Sequence, residues 1–421
     1  MSTATLSRLL AENPVVITGV GAVSAAGDSA AALWRAAADG RVSAVWREFE
    51  LGGKPRKFAV CPAPELNPAR PELHAVRRMD RCAQLAWCAA SEAWLASGLA
   101  SCPGDRRAGL MLGTSRGSLA KLEEAFARLV EPRYPPSLSA DCTIGSLSGV
   151  LAQGLKFKGP VTTLSATCAS GALAIALAAE QILLGKADVM LAGGAEAPLT
   201  AVTLAQLEAA GVLGSHQDPT RTCRPFDVTR NGLCLGEGSG FLVLESAANA
   251  ARRGAVVLAR LTGWGIGVDD SGRAGVGKTG ATLVDVAAQA LAMAGLDVDS
   301  IDAVNAHGTG TQLNDLAEAR GLCALLGSRV SEVPCASTKP VTGHCLGATP
   351  ALEAIISIEG LRHNLVTPTA NCREPDPECP ILVQRDTARP MPLRHVLSNS
   401  LGFWGYHAAL MFSQPTPERA R

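Results

Sequence analysis

The chain runs through one order of elements twice, and that repetition limits its possible folds more than any single residue does. Over the first half the pattern predicts strand 15–23, helix 29–39, a long helix near 79–97, strand 108–114, strand 160–166, helix 169–185, and strands 187–194 and 239–246. The second half begins again with strand 256–268, helix 280–295, strand 301–306, helix 315–326, strand 332–337, helix 345–361, and strands 394–400 and 407–413. Short apolar runs alternating with longer helical periodicities predict βαβ units. Two such series predict an α/β protein of duplicated halves, 1–250 and 251–421, packed face to face with a site between them. Segments 40–75 and 115–158 exceed ordinary connections and are expected to serve pockets or subunit contacts.

Four chemistry-bearing side chains stand just past those strand signals. Cys168 lies in Thr163-Leu164-Ser165-Ala166-Thr167-Cys168-Ala169-Ser170-Gly171, where a short β-type run breaks into the apolar stretch 172–184. Open α/β sheets carry reactive groups at the C-terminal ends of their strands. A thiol at the first turn of a helix meets unpaired N–H groups and the positive end of the dipole. Its pKa is therefore expected to fall, and the sulfur to attack without a dedicated base. Small flanking residues leave room for a thioester.

His307 sits in Asn305-Ala306-His307-Gly308-Thr309-Gly310-Thr311, and His344 closes Ser337-Thr338-Lys339-Pro340-Val341-Thr342-Gly343-His344. Either histidine alone reads more readily as a packed structural residue than as a catalytic one. A thiol loop and two imidazole loops at three strand ends point to one catalytic cleft. Lys339 stands in a small, neutral loop, and a buried ammonium needs a carboxylate. Asp315, Glu318 and Glu353 are the candidates; these acids orient Lys339 or cap helices, or else take a direct part in the chemistry.

Composition narrows the function classes. Lysine plus arginine and aspartate plus glutamate both number 38, and no basic run carries interleaved aromatics, so no nucleic-acid partner is expected. Thirteen cysteines lie scattered without paired spacing, and 1–13 does not read as a secretory leader, which predicts reduced thiols and a cytoplasmic protein. Cys372 and Cys379 lack neighbouring histidines, so no metal site is expected. The longest apolar run, 169–184, is interrupted by Glu180 and Gln181 and predicts no membrane span. Residues 272–279, Gly-Arg-Ala-Gly-Val-Gly-Lys-Thr, satisfy the phosphate-loop pattern. That loop needs a hydrophobic strand feeding directly into its first glycine. Val268-Asp269-Asp270-Ser271 intervenes, so nucleotide binding is the weaker reading.

These segments resemble the β-ketoacyl-acyl-carrier-protein synthases, the elongating Cys-His-His type within the thiolase superfamily. The likeness runs nearly end to end. Val15-Val16-Ile17-Thr18-Gly19-Val20-Gly21-Ala22-Val23-Ser24 is similar to that family's opening strand. Arg224-Pro225-Phe226-Asp227 and Gly236-Glu237-Gly238-Ser239-Gly240 are similar to its mid-chain signature. The resemblance implies a thiolase-like fold, layered α-β-α-β-α. It implies decarboxylative Claisen condensation in fatty-acid or type II polyketide biosynthesis. Cys168 would take the acyl chain as a thioester, and His307 and His344 would contact the malonyl thioester carbonyl as the carboxylate departs. Lys339 would hold the charge state and geometry of this cluster. The backbone N–H groups of Cys168 and Phe403 would form an oxyanion hole, with Phe403 also the acyl gate and Trp404 and Ile144 in the acyl pocket.

No bound cofactor is implied; phosphopantetheine arrives on an acyl carrier protein. The other partner implied is a second copy or a chain-length-factor-like subunit. Arg77, Arg78 and Arg81 precede a helix and read as its solvated start or as a docking patch for an acidic carrier. The chain also departs from the family. The C-terminal turn usually reads Gly-Phe-Gly-Gly-Thr-Asn, but Trp404, Tyr406 and His407 here replace small or amide residues. Pro350 stands where glycine is usual, a position tolerable in a helix's first turn, and Asn231 where aspartate is common. These departures suggest a specialised synthase. The alternatives on this fold are an acyltransferase or a non-decarboxylating thiolase. Thiolases typically place a second cysteine in the C-terminal turn, and residues 402–407 contain none.

Overall fold

Strand Val15–Ser24 shows how each half is assembled. It is buried at all ten positions, so both its faces must be covered. Gly19 and Gly21 face helix Arg81–Ala96, where an added Cβ would stand 2.3 Å from the Ala93 carbonyl oxygen or 2.1 Å from that of Ala89. The absent side chains let the helix lie directly on the strand. The second half repeats the device. Gly263 and Gly265 of strand Ala259–Val268 face helix Ala281–Ala294, where a Cβ would stand 2.0 Å from the Ala290 oxygen or 1.9 Å from the Val286 oxygen.

The computed structural model describes residues 2–66, 76, 78–101, 107–127, 136–270 and 277–415. Arg77 and residues 271–276 of the phosphate-loop-like segment lie outside the described residues. From one edge, the first half of the sheet runs Val161–Leu164, Ala108–Gly113, Val189–Glu196, Gly238–Ser246, Val15–Ser24. The second half continues with Ala259–Val268, Tyr406–Ser413, His395–Leu401, Ala303–Asn305, Cys335–Ala336. Numbered along the chain within each half, the order is third, second, fourth, fifth, first, then first, fifth, fourth, second, third. The two halves are therefore mirror-ordered copies, as the repeated element order predicts.

The halves do not simply stack as separate sheets. Val15–Ile17 pairs antiparallel with Ala259–Leu261, joining them at their first strands. Helix Thr349–His363 still touches strand Gly238–Ser246 of one half and His395–Leu401 of the other. Four strand spacings separate those two strands, about 19 Å, which is wider than a helix. The sheet must fold around the helix at the junction. Helix Ser170–Leu183 lies beside it in the same central layer, while the two helices of the glycine contacts cover the outer faces. This is the α-β-α-β-α layering. Residues Thr349 through Leu361 are buried without exception, as a helix between two apolar layers must be.

The long connections carry structure that periodicity did not reveal. Val45–Leu51 and Lys54–Cys61 form a hairpin whose second strand pairs with Leu235–Gly236. Helices Leu119–Ala127, Leu138–Asp141 and Ser146–Leu155 occupy the other connection, and Thr3–Glu12 and Ala201–Ala209 are further helices. The expected strand 332–337 shrinks to Cys335–Ala336, because Pro334 has no N–H for a ladder. The helix expected from 345 begins at Thr349 with Pro350 in its first turn. No helix among the described residues is long and apolar enough to cross a membrane.

Gly21→Ala and Gly265→Ala should each lower the unfolding free energy by about 1–3 kcal/mol, since backbone cannot yield to the new methyl. Urea denaturation measures this, and unchanged stability in both would refute the close helix–strand approach.

Candidate active site

Because the halves mirror one another, the turns after the second and third strands of each reach the same place. Together they border a cavity of about 710 Å³ lined by Arg116, Cys168, His307 and His344. Cys168 follows the third strand of the first half, and His344 follows the third strand of the second.

Thr167 adopts φ 50°, a left-handed conformation that L side chains rarely take. That kink presents Cys168 to the cavity. The Thr167 hydroxyl donates to the Phe403 carbonyl at 3.2 Å, and a Cβ on Gly402 would meet Thr167 Oγ1 at 2.2 Å. The nucleophile turn and the Gly402–Gly405 turn are thus packed together. Burial pushes the Cys168 thiol up to about 12, although the Lys339 charge and the Phe403 backbone N–H pull it down. This corrects the expected fall. The helix begins at Ser170, two residues beyond the thiol, and Cys168 is only 6% exposed, so desolvation of a thiolate outweighs the helix end.

The two imidazoles meet edge to face, with ring centroids 5.3 Å apart and planes at 83°. Lys339, wholly buried, sits behind His307. Its ammonium donates to Glu353 Oε1 at 2.6 Å, to the His307 carbonyl, and toward His307 Nδ1 at 3.4 Å. An ammonium only donates, so Nδ1 accepts and the ring N–H of His307 is left on Nε2. His344 Nδ1 lies 3.1 Å from the Thr349 hydroxyl. Burial and the Lys339 charge hold both rings well below the ordinary histidine value of 6.5, so both are neutral.

Of the three acids expected near Lys339, only Glu353 is its partner. Glu318 instead accepts the backbone N–H groups of His307 and Gly308, both at 2.7 Å. Asp315 accepts from Phe226 at 2.9 Å and Thr309 at 3.0 Å, and lies 3.8 Å from the Arg230 guanidinium. A fourth carboxylate escaped sequence reading. Glu196 ends the fourth strand of the first half and accepts N–H groups from Ser115 at 2.6 Å, Arg116 at 2.9 Å and Gly347 at 3.1 Å. Burial raises both Glu196 and Glu318 to about 7 against these bonds. Each half therefore holds the turn after its second strand by one buried carboxylate on two successive amides. The Gly-Gly-Ala-Glu run ending at Glu196 is the only sequence signal for it, an acid closing an otherwise apolar strand.

Phe403 and Trp404 also line the cavity. Trp404 has φ 63° where the family turn has glycine, and it is 55% exposed at the cavity mouth. His407 Nε2 lies 3.0 Å from Asp269 Oδ2, and Asp269 N–H donates to the Gly405 carbonyl at 2.9 Å, so the pair props the turn from beneath. Ile144, expected in the acyl pocket, is half-exposed beside Gly117 and does not line this cavity. The helices of 115–158 carry it outward. Arg81 is not a free docking cation either. It grips buried Glu237 through Nε at 2.9 Å and Nη2 at 2.6 Å, because Glu237 needs a counter-charge. Arg78 is exposed.

Duplicated α/β halves around two central helices, with a thiol and two imidazoles at one cavity, define a thiolase-like condensing enzyme. Residues 12–250 match the family described as beta-ketoacyl synthase, N-terminal domain, and residues 258–373 match its C-terminal domain. The chain is 35% identical over 415 residues to a putative polyketide beta-ketoacyl synthase 1 of Streptomyces halstedii, covering 95% of this chain and 98% of that one. It is 34% identical to 3-oxoacyl-[acyl-carrier-protein] synthase 2 of Staphylococcus aureus (strain COL), covering 95% and 98%. Among solved structures, the ishigamide ketosynthase/chain length factor superposes with TM-score 0.88 at 30% identity, covering 96% of this chain and 100% of that one. A ketosynthase bound to a hexaketide, in complex with its type II acyl-carrier protein, gives 0.86 at 28% identity, covering 96% and 100%. The chain belongs to the beta-ketoacyl synthase family, and it is an acyltransferase-type enzyme.

Two measurements test this electrostatic arrangement. Glu353→Gln strands a buried ammonium and should destabilise the fold by about 3–5 kcal/mol, read by thermal or urea unfolding; a wild-type midpoint would contradict the pairing. The unfolded chain protonates both rings near pH 6.5 and the folded chain does not, so the rings make stability fall as pH drops through that value. A His307→Asn, His344→Asn double variant should lose that part of the decline between about pH 7 and 5, and an unchanged slope would show that the rings are not held neutral.

Proposed function

We propose that the cavity carries out decarboxylative Claisen condensation of an acyl thioester on Cys168 with malonyl-acyl carrier protein, giving a 3-oxoacyl-acyl carrier protein. The observation that carries this reading is a pair of neutral, crossed imidazoles in the cavity of a single buried thiol. In the first half-reaction the Cys168 sulfur bonds to the acyl carbonyl carbon and the bond to the carrier's phosphopantetheine sulfur breaks. The Cys168 proton ends on the departing carrier thiol, so no standing thiolate is required, in keeping with a thiol pushed up to about 12. In the second, the malonyl carboxylate leaves as CO₂ and its electron pair becomes an enolate on the thioester oxygen.

His307 and His344 are the catalytic residues that hold that oxygen by N–H donation, a task neutral rings perform without surrendering a proton. The enolate carbon then attacks the Cys168 thioester. The backbone N–H groups of Cys168 and Phe403 receive the tetrahedral oxyanion, its collapse expels the Cys168 sulfur as thiolate, and one proton taken up from water restores the thiol, which balances the loss of CO₂ from a carboxylate. Lys339, paired to Glu353, is a positioning residue for His307, while Glu318 and Asp315 hold its turn. The thiol belongs to the half 1–250 and both imidazoles to 251–421. The partners are an acyl carrier protein, delivering phosphopantetheine-bound substrates, and a second subunit that is either another copy or a chain-length-factor-like chain. The setting is cytoplasmic, in fatty-acid or type II polyketide biosynthesis.

Intact-mass measurement after incubation with acyl carrier proteins should find one acyl group, on Cys168, and none in Cys168→Ala; an acyl group elsewhere or nowhere would refute the reading. A His307→Ala, His344→Ala double variant should lose CO₂ release from malonyl carrier protein by at least about a hundredfold. Trp404→Gly relieves a left-handed tryptophan at the mouth and should shift acyl preference, which an identical substrate profile would rule out.

A further inference from the structure

One charged side chain in the cavity has no part in that mechanism. Arg116 lines the cavity with Cys168, His307 and His344. It stands on the turn after the second strand of the first half, the counterpart of the turn that carries His307. Glu196 pins its backbone N–H at 2.9 Å, so the guanidinium projects from a fixed base. Nη1 donates to Gln206 Oε1 at 2.5 Å, a neutral amide. Among the described residues Arg116 forms no ion pair. Its charge reaches the Cys168 sulfur and draws that thiol downward against burial. Leu119, Leu207, Leu346 and Phe403 supply apolar wall to the same cavity.

A half-buried cation with only an amide for company must keep water or find an oxygen. A saturated acyl chain drawn along the leucine wall would strip that water and return no acceptor. A chain with a keto or carboxylate oxygen would replace the water with a charge-assisted hydrogen bond. We propose that Arg116 is a specificity-determining residue, which selects acyl chains bearing an acceptor oxygen beyond the thioester over saturated chains of equal length. This rests on the acyl-Cys168 reading above and deepens it by naming the substrate class.

The test loads the full chain with three acyl carrier proteins of matched length, one saturated, one 3-oxoacyl and one ending in a carboxylate, and follows Cys168 acylation by intact mass. Wild type should load an oxygenated chain at least about tenfold faster than the saturated one. The faster of the two oxygenated arms identifies keto or carboxylate as the group received. Arg116→Leu should abolish or invert that ratio, and Arg116→Lys should keep part of it. The ratio is internal to each variant, so partial loss of folded protein leaves it readable. Equal loading of all three chains by wild type, or a wild-type ratio in Arg116→Leu, would overturn the assignment while leaving the condensation reading intact. Absence of acylation from every carrier would overturn both.

Discussion

The arrangement at the cavity depends on one buried ammonium. Lys339 is fully enclosed, and its three donors reach Glu353, the His307 carbonyl and the His307 ring. A charge removed from water survives only where its partners replace that hydration. The replacement here comes from two separate places, the central helix Thr349–His363 and the His307 turn, and it fixes both to the short helix Lys339–Thr342 that carries the lysine and leads to His344. Burial first, and then the same charge that binds these pieces together, keep both rings neutral, so Lys339 has a structural and an electrostatic role at once.

The carboxylates around it divide a different task. Glu318 clamps the His307 turn from eleven residues downstream, within one strand–loop–helix unit. Glu196 clamps the Arg116 turn from eighty residues downstream and also ties in Gly347, beyond His344. The first clamp is local and the second spans both halves. Burial raises both acids to about 7 even though the backbone N–H groups they accept pull the other way.

Much of this was legible in the residue order. Cys168, His307, Lys339 and His344 each stand in a local pattern of apolar strand, small-residue turn and helix, and such patterns survive translation into structure because turn chemistry is local. Glu353 was one of three candidate partners for Lys339, and nothing along the chain could choose among them. The thiol's pKa was misjudged because helix proximity is visible in sequence and desolvation is not. Arg81 read as a surface cation because Glu237, which claims it, lies 156 residues away. Ile144 was placed in the pocket wall by family resemblance, and the direction of the turn between Leu138–Asp141 and Ser146–Leu155 that carries it is not visible in the residue order.

The sequence by itself determined the duplicated α/β plan and the turns that carry the thiol and the two imidazoles, since these follow from periodicity and short-range turn residues, and it pointed to the family through the resemblance of its motifs. Only the tertiary structure decided which acid pairs with Lys339, that the thiol is protonated and the rings neutral, that Glu196 braces both halves, and that an arginine shares the cavity with Cys168. Those outcomes turn on burial and on contacts between segments far apart in the chain, and a linear order of residues carries neither.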